Sequence, residues 1–336
     1  MIPATAANRN IPEWQRELGL AFTRPAELLD FLQLPPDLPA LGPDSLHKFP
    51  LRVPRGFAGR MAKSNPLDPL FLQVWNQPRE ALETPGFSTD AVGDLAKQRP
   101  GGILHKYQGR ALVVATGACA VHCRYCFRRH FPYGELLAAR DHWRETLREI
   151  AADRSLSEVI LSGGDPLSLP DEKLAEFAQG LEFMPHVKRL RIHTRQPIVL
   201  PERVDEALLA WLKRGRIKKI MVLHVNHANE LDTTVAAALK PITALGIPLL
   251  NQSVLLRGVN DSVATLENLS TRLFECGVLP YYLHMLDRVQ GAAHFEVPLD
   301  HARGLMRGLS ARLPGYLVPK LVREDAGAAS KTTLQW

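Results

Sequence analysis

The chain has 336 residues, of which 46% are hydrophobic and 23% charged, a composition typical of a globular protein with a sizeable core. Lys and Arg total 41 against 35 Asp and Glu, giving a net charge of +6, but the positive residues are scattered, so the charge does not favour a nucleic-acid partner. The N-terminus lacks the apolar segment of a signal peptide, and no uncharged apolar run could span a bilayer, which predicts a cytoplasmic protein with no membrane segment.

The first third of the chain alternates helix-like segments with proline-rich breaks. Residues 11–18 and 26–34 are predicted to be helices, and Pro35, Pro36 and Pro39 interrupt the chain beyond the second helix. This part shows no motif that carries chemistry. We therefore predict a mostly helical N-terminal extension over residues 1–98.

From about residue 100, short apolar runs alternate with amphipathic segments. The predicted strands are residues 111–115, 158–162, 189–193, 219–225, 248–255 and 279–284. The predicted helices lie near residues 141–152, 171–183, 203–213, 231–244, 263–275 and 299–311. This alternation is typical of parallel βαβ units, so we predict an α/β fold in which residues 99–336 form a partial (β/α)6 barrel.

Three of the four cysteines lie in one run, Cys119-x3-Cys123-x2-Cys126. Thiolates spaced this closely are usually metal ligands. Three of them suit a four-iron, four-sulfur cluster in which one iron stays open to a small molecule. The alternative is a closed zinc site with His122 or His130 as fourth ligand. A disulfide is disfavoured by the odd number of cysteines and by the expected compartment.

Polar or glycine-containing groups come directly after several predicted strands, where parallel α/β folds place their sites. The first is Gly163-Gly164-Asp165, whose paired glycines permit close backbone approach, although an ordinary βα turn would look the same. The others are Thr194-Arg195, Asn226-His227, Arg257-Gly258 and Asp287.

The cysteine run resembles a known signature. Its C-x3-C-x-aromatic-C pattern, with Tyr125 before the last cysteine, is similar to that of radical S-adenosylmethionine (SAM) enzymes, and Phe127-Arg128-Arg129 narrows the resemblance to the lysine 2,3-aminomutase family. The similarity extends from about residue 100 to residue 331. It implies a radical SAM barrel in which Cys119, Cys123 and Cys126 hold a [4Fe-4S] cluster. It further implies that the Gly163-Gly164-Asp165 turn receives the amino group of SAM.

The resemblance implies a second cofactor, pyridoxal 5′-phosphate, held by Lys331. Position alone would make Lys331 a solvated tail residue. It comes after the small-residue stretch Gly327-Ala328-Ala329, however, and lies seven positions after Glu324, as in the family. Gln252 matches a family residue near the pyridoxal ring. Arg110 matches an arginine on the phosphate side, where a guanidinium can grip two oxygens, although an ordinary surface arginine is the alternative.

The implied substrate is L-lysine, whose amino group moves from the α- to the β-carbon to give β-lysine. Arg128 matches the residue that binds the α-carboxylate, a role suited to a planar cation. Asp287 and Glu324 match the two acids that bind the side-chain ammonium, although both could be surface acids. Glu324 stands where the catabolic enzymes of the family have aspartate.

Two further features, Ser262 and the end of the chain at Trp336, narrow the resemblance to one branch of the family. The catabolic enzymes carry zinc-binding cysteines after the Val-Asn-Asp run and in a C-terminal extension, whereas here Ser262 comes after Asp261 and the only spare cysteine is Cys276. With Glu324, these features resemble the branch that supplies β-lysine for modification of elongation factor P. The implied partners are elongation factor P with its lysyl ligase and an electron-donor protein, and a homo-oligomer is left open.

Three alternatives remain at this point. The first is a catabolic lysine 2,3-aminomutase acting on free lysine. The second is a radical SAM enzyme of another reaction, without pyridoxal phosphate. The third is a zinc protein, with three cysteines and one histidine on the metal, that binds nucleic acid.

Overall fold

An open sheet of ten strands in chain order forms the centre of the computed structural model, which describes residues 11–40, 49–135, 138–141 and 143–336. The strands are β1 Gln98–Arg99, β2 Ile103–Tyr107, β3 Arg110–Thr116, β4 Glu158–Gly163, β5 Arg189–Thr194, β6 Lys218–Leu223, β7 Leu249–Val254, β8 Val278–His284, β9 Lys320–Arg323 and β10 Thr332–Thr333.

The strands from β3 to β9 are all parallel to their neighbours. At the two edges, β1 and β2 on one side and β10 on the other pair antiparallel. The predicted α/β partial barrel is confirmed, and all six predicted strands are present. The sequence did not indicate the edge strands β1, β2, β9 and β10.

Four of the described helices precede the sheet, and the helices after them lie between the strands. In chain order they are α1 Glu13–Gly19, α2 Pro25–Leu32, α3 Arg55–Ala58, α4 Pro69–Leu72, α5 Arg144–Ala152, α6 Asp171–Glu182, α7 Gln196–Val199, α8 Glu206–Leu212, α9 Thr233–Ala244, α10 Val263–Glu275 and α11 Leu299–Ser310. Side chains of Asp205, Asp232 and Ser262 cap α8, α9 and α10 by accepting a backbone N–H, which fixes where each helix begins. Within the described ranges, no helix is long and apolar enough to cross a membrane.

Side chains of the parallel strands alternate between the two faces of the sheet. On the outer face, Val159, Leu161, Leu190 and Ile192 pack with helix residues such as Phe177 in the main hydrophobic core. The residues between them, Ile160, Ser162, Arg191 and His193, line a cavity on the inner face. The inner face is therefore available for chemistry along the whole length of the strands.

The N-terminal region packs on the cysteine run rather than standing apart from it. Trp14, Phe57 and Phe71 share a hydrophobic cluster with Ala120 and Val121, which come directly after the first cysteine. Apolar contacts thus cross the predicted boundary at residue 98. The extension supports the loop that carries the cysteines.

Candidate active site

A cavity of about 480 Å³ runs along the inner face of the sheet. It is lined by all the residues to which the resemblance assigns a role: Arg110, Cys119, Cys123, Cys126, Arg128, Gly163, Gly164, Asp165, Gln252, Asp287, Glu324 and Lys331. Of the other strand-end candidates, Thr194 and Arg195 line the cavity, whereas Asn226, His227, Arg257 and Gly258 do not. The lining residues come from strands and loops spread over more than two hundred positions. The fold brings them to one place.

The three cysteines come after β3 and are partly buried, with free thiols. Burial raises the pKa of Cys119 well above its usual value, and the Asp165 carboxylate and the other two thiols add to the effect. Burial, with the neighbouring Cys123, also raises the pKa of Cys126 to about 11. Sulfurs crowded in this way fit a bound cationic group, because such a group offsets the cost of holding several thiolates together.

Each histidine of the zinc alternative has one ring nitrogen beside a backbone carbonyl, an arrangement that metal-binding histidines share. The Nδ1 atom of His122 lies 2.8 Å from the carbonyl oxygen of Pro50, and the Nε2 atom of His130 lies 3.1 Å from that of Gln290. Across the part of the chain that the structure describes, no three His, Cys, Asp or Glu side chains are placed to hold one metal ion. A four-iron cluster does not need such convergence, because each thiolate binds a different iron.

The glycine turn after β4 lies directly against the cysteine loop. Gly164 donates its N–H to the carbonyl oxygen of Thr116 at 2.6 Å, and a Cβ atom on Gly164 would come within 2.5 Å of the carbonyl oxygen of Ala118. Gly163 has a φ of +111°, and a Cβ atom there would approach the Thr116 oxygen to 2.8 Å. Both glycines are needed for this backbone contact, apart from any contact with a ligand.

The carboxylate of Asp165 is largely occupied by hydrogen bonds within the protein. One oxygen accepts from the N–H of Leu167 at 3.0 Å and from the hydroxyl of Thr194 at 2.7 Å, and the other accepts from the N–H of Arg195 at 2.7 Å. The backbone N–H of Gln196 also acts on this carboxylate, so its roughly four acceptor positions are largely taken. In the structure, Asp165 ties the turn after β4 to the end of β5.

Arg128 is held by an acid that the sequence did not single out. Its Nε atom donates to Asp94 at 2.7 Å, and its Nη1 atom lies 3.3 Å from the hydroxyl of Ser162. The Nζ atom of Lys106 lies 2.6 Å from the second oxygen of Asp94. Burial alone would raise the pKa of Asp94, but the two cations lower it, so the carboxylate stays ionised. Two of the five guanidinium donors of Arg128 are used, which leaves three.

Lys106 continues this network to the opposite wall. Its Nζ atom lies 3.3 Å from Glu324, and the hydroxyl of Tyr107 donates to the same carboxylate at 2.6 Å. Lys331 contacts the other oxygen of Glu324 and is about a quarter exposed. One chain of charged contacts therefore joins Arg128 to Lys331.

Asp287 contrasts with Glu324, although both line this cavity and a neighbouring one of about 610 Å³. The Oδ1 atom of Asp287 is buried and has no hydrogen-bond partner among the described residues. Burial raises the pKa of Asp287 to about 7, against the opposing effect of the Lys331 ammonium. A buried acceptor of this kind is suited to an incoming cation.

Arg110 and Gln252 lie on the inner faces of β3 and β7. The guanidinium of Arg110 stacks 4.8 Å from the centre of the Tyr107 ring, and its Nε atom is buried without a hydrogen-bond partner among the described residues. Arg191 and Tyr282 line the same part of the cavity. An unpaired buried guanidinium donor fits an anionic group.

Sequence reasoning missed Asp94, Lys106, Tyr107 and Arg191 as members of the site. For Arg191 a signal was present: Arg189-Leu190-Arg191-Ile192-His193 alternates polar and apolar residues within a buried parallel strand, where a continuous apolar run is usual. Asp94 offered no local signal, because its partners lie 12 and 34 positions away along the chain.

Comparisons with known proteins agree with this geometry. The radical SAM superfamily model matches residues 113–269, which includes the cysteine run and the glycine turn. The L-lysine 2,3-aminomutase of Escherichia coli K12 is 50% identical over 323 residues, covering 96% of this chain and 94% of the relative. That of Haemophilus influenzae is 45% identical over 332 residues (99% and 98%), and that of Buchnera aphidicola is 41% identical over 320 residues (95% and 94%).

The superfamily match and the cysteine-lined cavity define a radical SAM enzyme, which implies a [4Fe-4S] cluster and SAM as cofactors. At 50% identity over nearly the whole length of both proteins, the chain belongs to the L-lysine 2,3-aminomutase family, an isomerase family. This membership excludes the zinc nucleic-acid-binding alternative.

Proposed function

We propose that this chain is a lysine 2,3-aminomutase that binds pyridoxal phosphate through Lys331 and converts L-lysine to β-lysine. The observation that carries the proposal is that Lys331 and the three cysteine thiols line one cavity. A volume of about 480 Å³ is within the range of roughly 300–1,000 Å³ that small-molecule sites occupy.

Four residues of the cavity fit pyridoxal phosphate. Lys331 offers its amine to the cavity and can link to the aldehyde. The unpaired Nε–H of Arg110 suits the phosphate, and Gln252 extends from β7 toward the same space, where an amide can donate to or accept from the ring. Arg191 adds a second guanidinium on the phosphate side of this arrangement.

Cys119, Cys123 and Cys126 would hold the cluster, and the turn at Gly163 and Gly164 would lie beside SAM. When bound, the cluster with SAM supplies one-electron chemistry at carbon, and pyridoxal phosphate supplies a conjugated π system for the migrating nitrogen. The chain's own residues bind and orient the substrate within this arrangement.

In this proposal Arg128 binds the α-carboxylate of lysine. Asp94 holds the guanidinium through Nε, so further N–H donors remain for a carboxylate to accept in a bidentate pair. At the other wall, Asp287 and Glu324 offer two carboxyl groups to the side-chain ammonium. The substrate would be fixed at both ends, and this keeps its β-carbon in place.

We further propose that the β-lysine serves the modification of elongation factor P. This rests on Glu324 and on Ser262, the features that separate this chain from the catabolic pattern. The proposal includes a lysyl ligase as the next enzyme, an electron-donor protein, a cytoplasmic location and a homo-oligomer as the assembly to be tested.

An anaerobic assay with lysine, SAM, pyridoxal phosphate and a reductant tests the activity, with the β-lysine enantiomers resolved by chromatography. Lys331→Ala should lose both product and the visible absorbance of bound pyridoxal phosphate. Lys320→Ala, an exposed lysine on β9, is the matched control and should retain both. Cys126→Ser should lose iron, whereas Cys276→Ser, which is buried outside the cavity, should retain it. Full pyridoxal absorbance in Lys331→Ala would refute the assignment of the lysine.

The role in elongation factor P modification needs a separate test. A bacterial strain lacking its own enzyme of this kind would be complemented with this chain, and elongation factor P would be examined by mass spectrometry. A mass increase equal to one lysyl group supports the proposal. An unmodified factor together with fast turnover of free lysine in vitro would favour the catabolic role.

A further inference from the structure

Arg195 is a buried cation that the reaction scheme above leaves without a role. It comes directly after β5, and its side chain is 6% exposed. Its Nη2 atom lies 2.8 Å from Glu230 and 2.6 Å from the amide oxygen of Gln73, and its Nη1 atom donates to the hydroxyl of Tyr125 at 2.8 Å. Four contacting groups from distant parts of the chain hold this guanidinium still.

The fourth of these groups is a cysteine sulfur. The Nη1 atom of Arg195 lies 2.8 Å from the Sγ atom of Cys123. An arginine guanidinium is not deprotonated in proteins, so Arg195 carries its positive charge beside this sulfur. A charged donor is therefore aimed at one of the sulfurs assigned to the cluster.

Hydrogen bonds to ligating sulfurs and nearby charge are two of the factors that set the reduction potential of an iron-sulfur cluster. The reduced cluster carries one more negative charge than the oxidised one. A positive group at a sulfur therefore stabilises the reduced state more, and low solvent exposure strengthens the effect. A negative group beside that cation weakens this stabilisation of the reduced cluster.

We propose that Arg195 is a positioning residue that raises the reduction potential of the cluster through its contact with Cys123, and that Glu230 moderates the effect. The electron comes from the external one-electron reductant that the reaction already requires, and no bond forms or breaks at Arg195. The inference rests on the proposed role of Cys123 as a cluster ligand.

Glu230 is a good partner for testing this, because it is fully buried and the other hydrogen bonds to its carboxylate come from neutral groups. Its Oε1 atom accepts from the N–H groups of Asn226 at 2.9 Å and His227 at 3.1 Å, and from the side chain of Gln73 at 3.2 Å. Glu230→Gln is nearly the same shape and removes the charge, and it also places an NH2 donor group against a donor of Gln73, Asn226, His227 or Arg195. Arg195→Lys keeps the charge without the planar fork, and Arg195→Met removes both.

The test uses the full chain, reconstituted anaerobically with iron and sulfide, in the wild type and these three variants. Iron and sulfide content is measured first, and the cluster is then titrated potentiometrically without SAM, with electron paramagnetic resonance reporting the reduced form. Arg195→Met should shift the midpoint potential to more negative values and Arg195→Lys should restore part of the shift. Glu230→Gln should shift it in the opposite direction.

Opposite shifts of the midpoint potential for variants of two residues in contact, Arg195 and Glu230, are not expected from a purely structural role. Unchanged potentials with full iron content would overturn the proposal. If Arg195→Met fails to hold iron, the test depends on the signs of the midpoint-potential shifts in Arg195→Lys and Glu230→Gln. Equal midpoint potentials in those two variants would also overturn the proposal. Wild-type levels of iron in Cys123→Ser would instead refute the assignment of the ligand and leave the cofactor site itself to be revised.

Discussion

Lys331 and Glu324 face each other as a cross-strand pair. The antiparallel strands β9 and β10 pair Arg323 with Thr332 at the end nearest the turn. The next two positions toward the turn are residues 324 and 331, whose side chains form an ion pair. The seven-residue spacing in the sequence is the register of this hairpin. The hairpin is what turns an apparent tail lysine into a residue of the cavity wall.

Glu324→Gln should lower stability in a pH-dependent way. Burial alone would raise the pKa of Glu324, but the Lys331 ammonium, the Tyr107 hydroxyl and Lys106 bring it down to about 2. The stabilisation is therefore complete above the ordinary value near 4.5 and is lost as the pH falls toward 2. At pH 7 the variant should lose on the order of 1–3 kcal/mol of unfolding free energy.

Urea unfolding at several pH values checks this, and the difference between wild type and variant should shrink below about pH 4.5. Glu275→Gln, an exposed acid paired with Arg272 on the same helix, is the control and should leave the unfolding free energy unchanged. A difference that stays constant down to about pH 3 would show that the ion pair is not the cause.

Asp287 should make lysine use depend on pH near neutrality. Burial raises its pKa to about 7, so the group is neutral below that value and charged above it. If the carboxylate binds the substrate ammonium, kcat/KM for lysine should fall by up to about tenfold per pH unit below 7. Asp287→Asn should lose roughly 10- to 200-fold in kcat/KM and show no inflection near pH 7. A variant with the wild-type pH profile would assign the inflection to another group.

Most of the fold could be predicted because its central elements are long and regular. The apolar runs of β4 and β6 and the periodic helices α6 and α10 each carry a signal over several residues. Among the missed edge strands, β1 and β10 have two residues each, too few for a period to be recognised. The other two, β2 and β9, have five and four residues.

The candidate site was predictable where residues cluster in sequence and not where they pair over distance. The spacing of the cysteines reports metal chemistry directly. The contact between Lys106 and Glu324 spans 218 positions, and nothing local to either residue indicates it. Lys331 was placed by resemblance alone, because its position near the end of the chain is typical of a solvated tail.

Asp94→Asn should weaken recognition of the substrate carboxylate. Asp94 fixes Arg128 at 2.7 Å and is almost fully buried, so an amide in its place leaves Arg128 without its ionic partner. KM for lysine should rise by about tenfold or more, equivalent to at least about 1.4 kcal/mol. Iron content should be unchanged.

Cadaverine is lysine without the α-carboxylate. Its binding shows whether Asp94→Asn affects only the positioning of Arg128 or damages the whole substrate site. As a competitive inhibitor, cadaverine should lose much less affinity than lysine in Asp94→Asn, because it does not use Arg128 and reaches Asp94 only indirectly, through Lys106 and Glu324. Asp153→Asn, an acid at the surface paired with Arg99, serves as the control variant. If Asp94→Asn weakened cadaverine and lysine by the same factor, the carboxylate would have no specific link to Arg128.

Glu80→Gln should weaken the contact between the N-terminal extension and the cysteine loop. Glu80 is almost fully buried and its Oε2 atom accepts from Arg124 and Arg129 at 2.6 Å each, residues that lie directly after Cys123 and three positions after Cys126. Removing the charge leaves two buried cations without compensation, which typically costs about 3–5 kcal/mol. Urea unfolding should show this loss, and the reconstituted cluster should bleach faster in air because the loop opens more often.

Glu27→Gln, which breaks the exposed pair with Arg24, should change neither measurement. A Glu80→Gln protein with wild-type stability and wild-type bleaching would mean that the apolar contacts of the extension suffice to hold the loop.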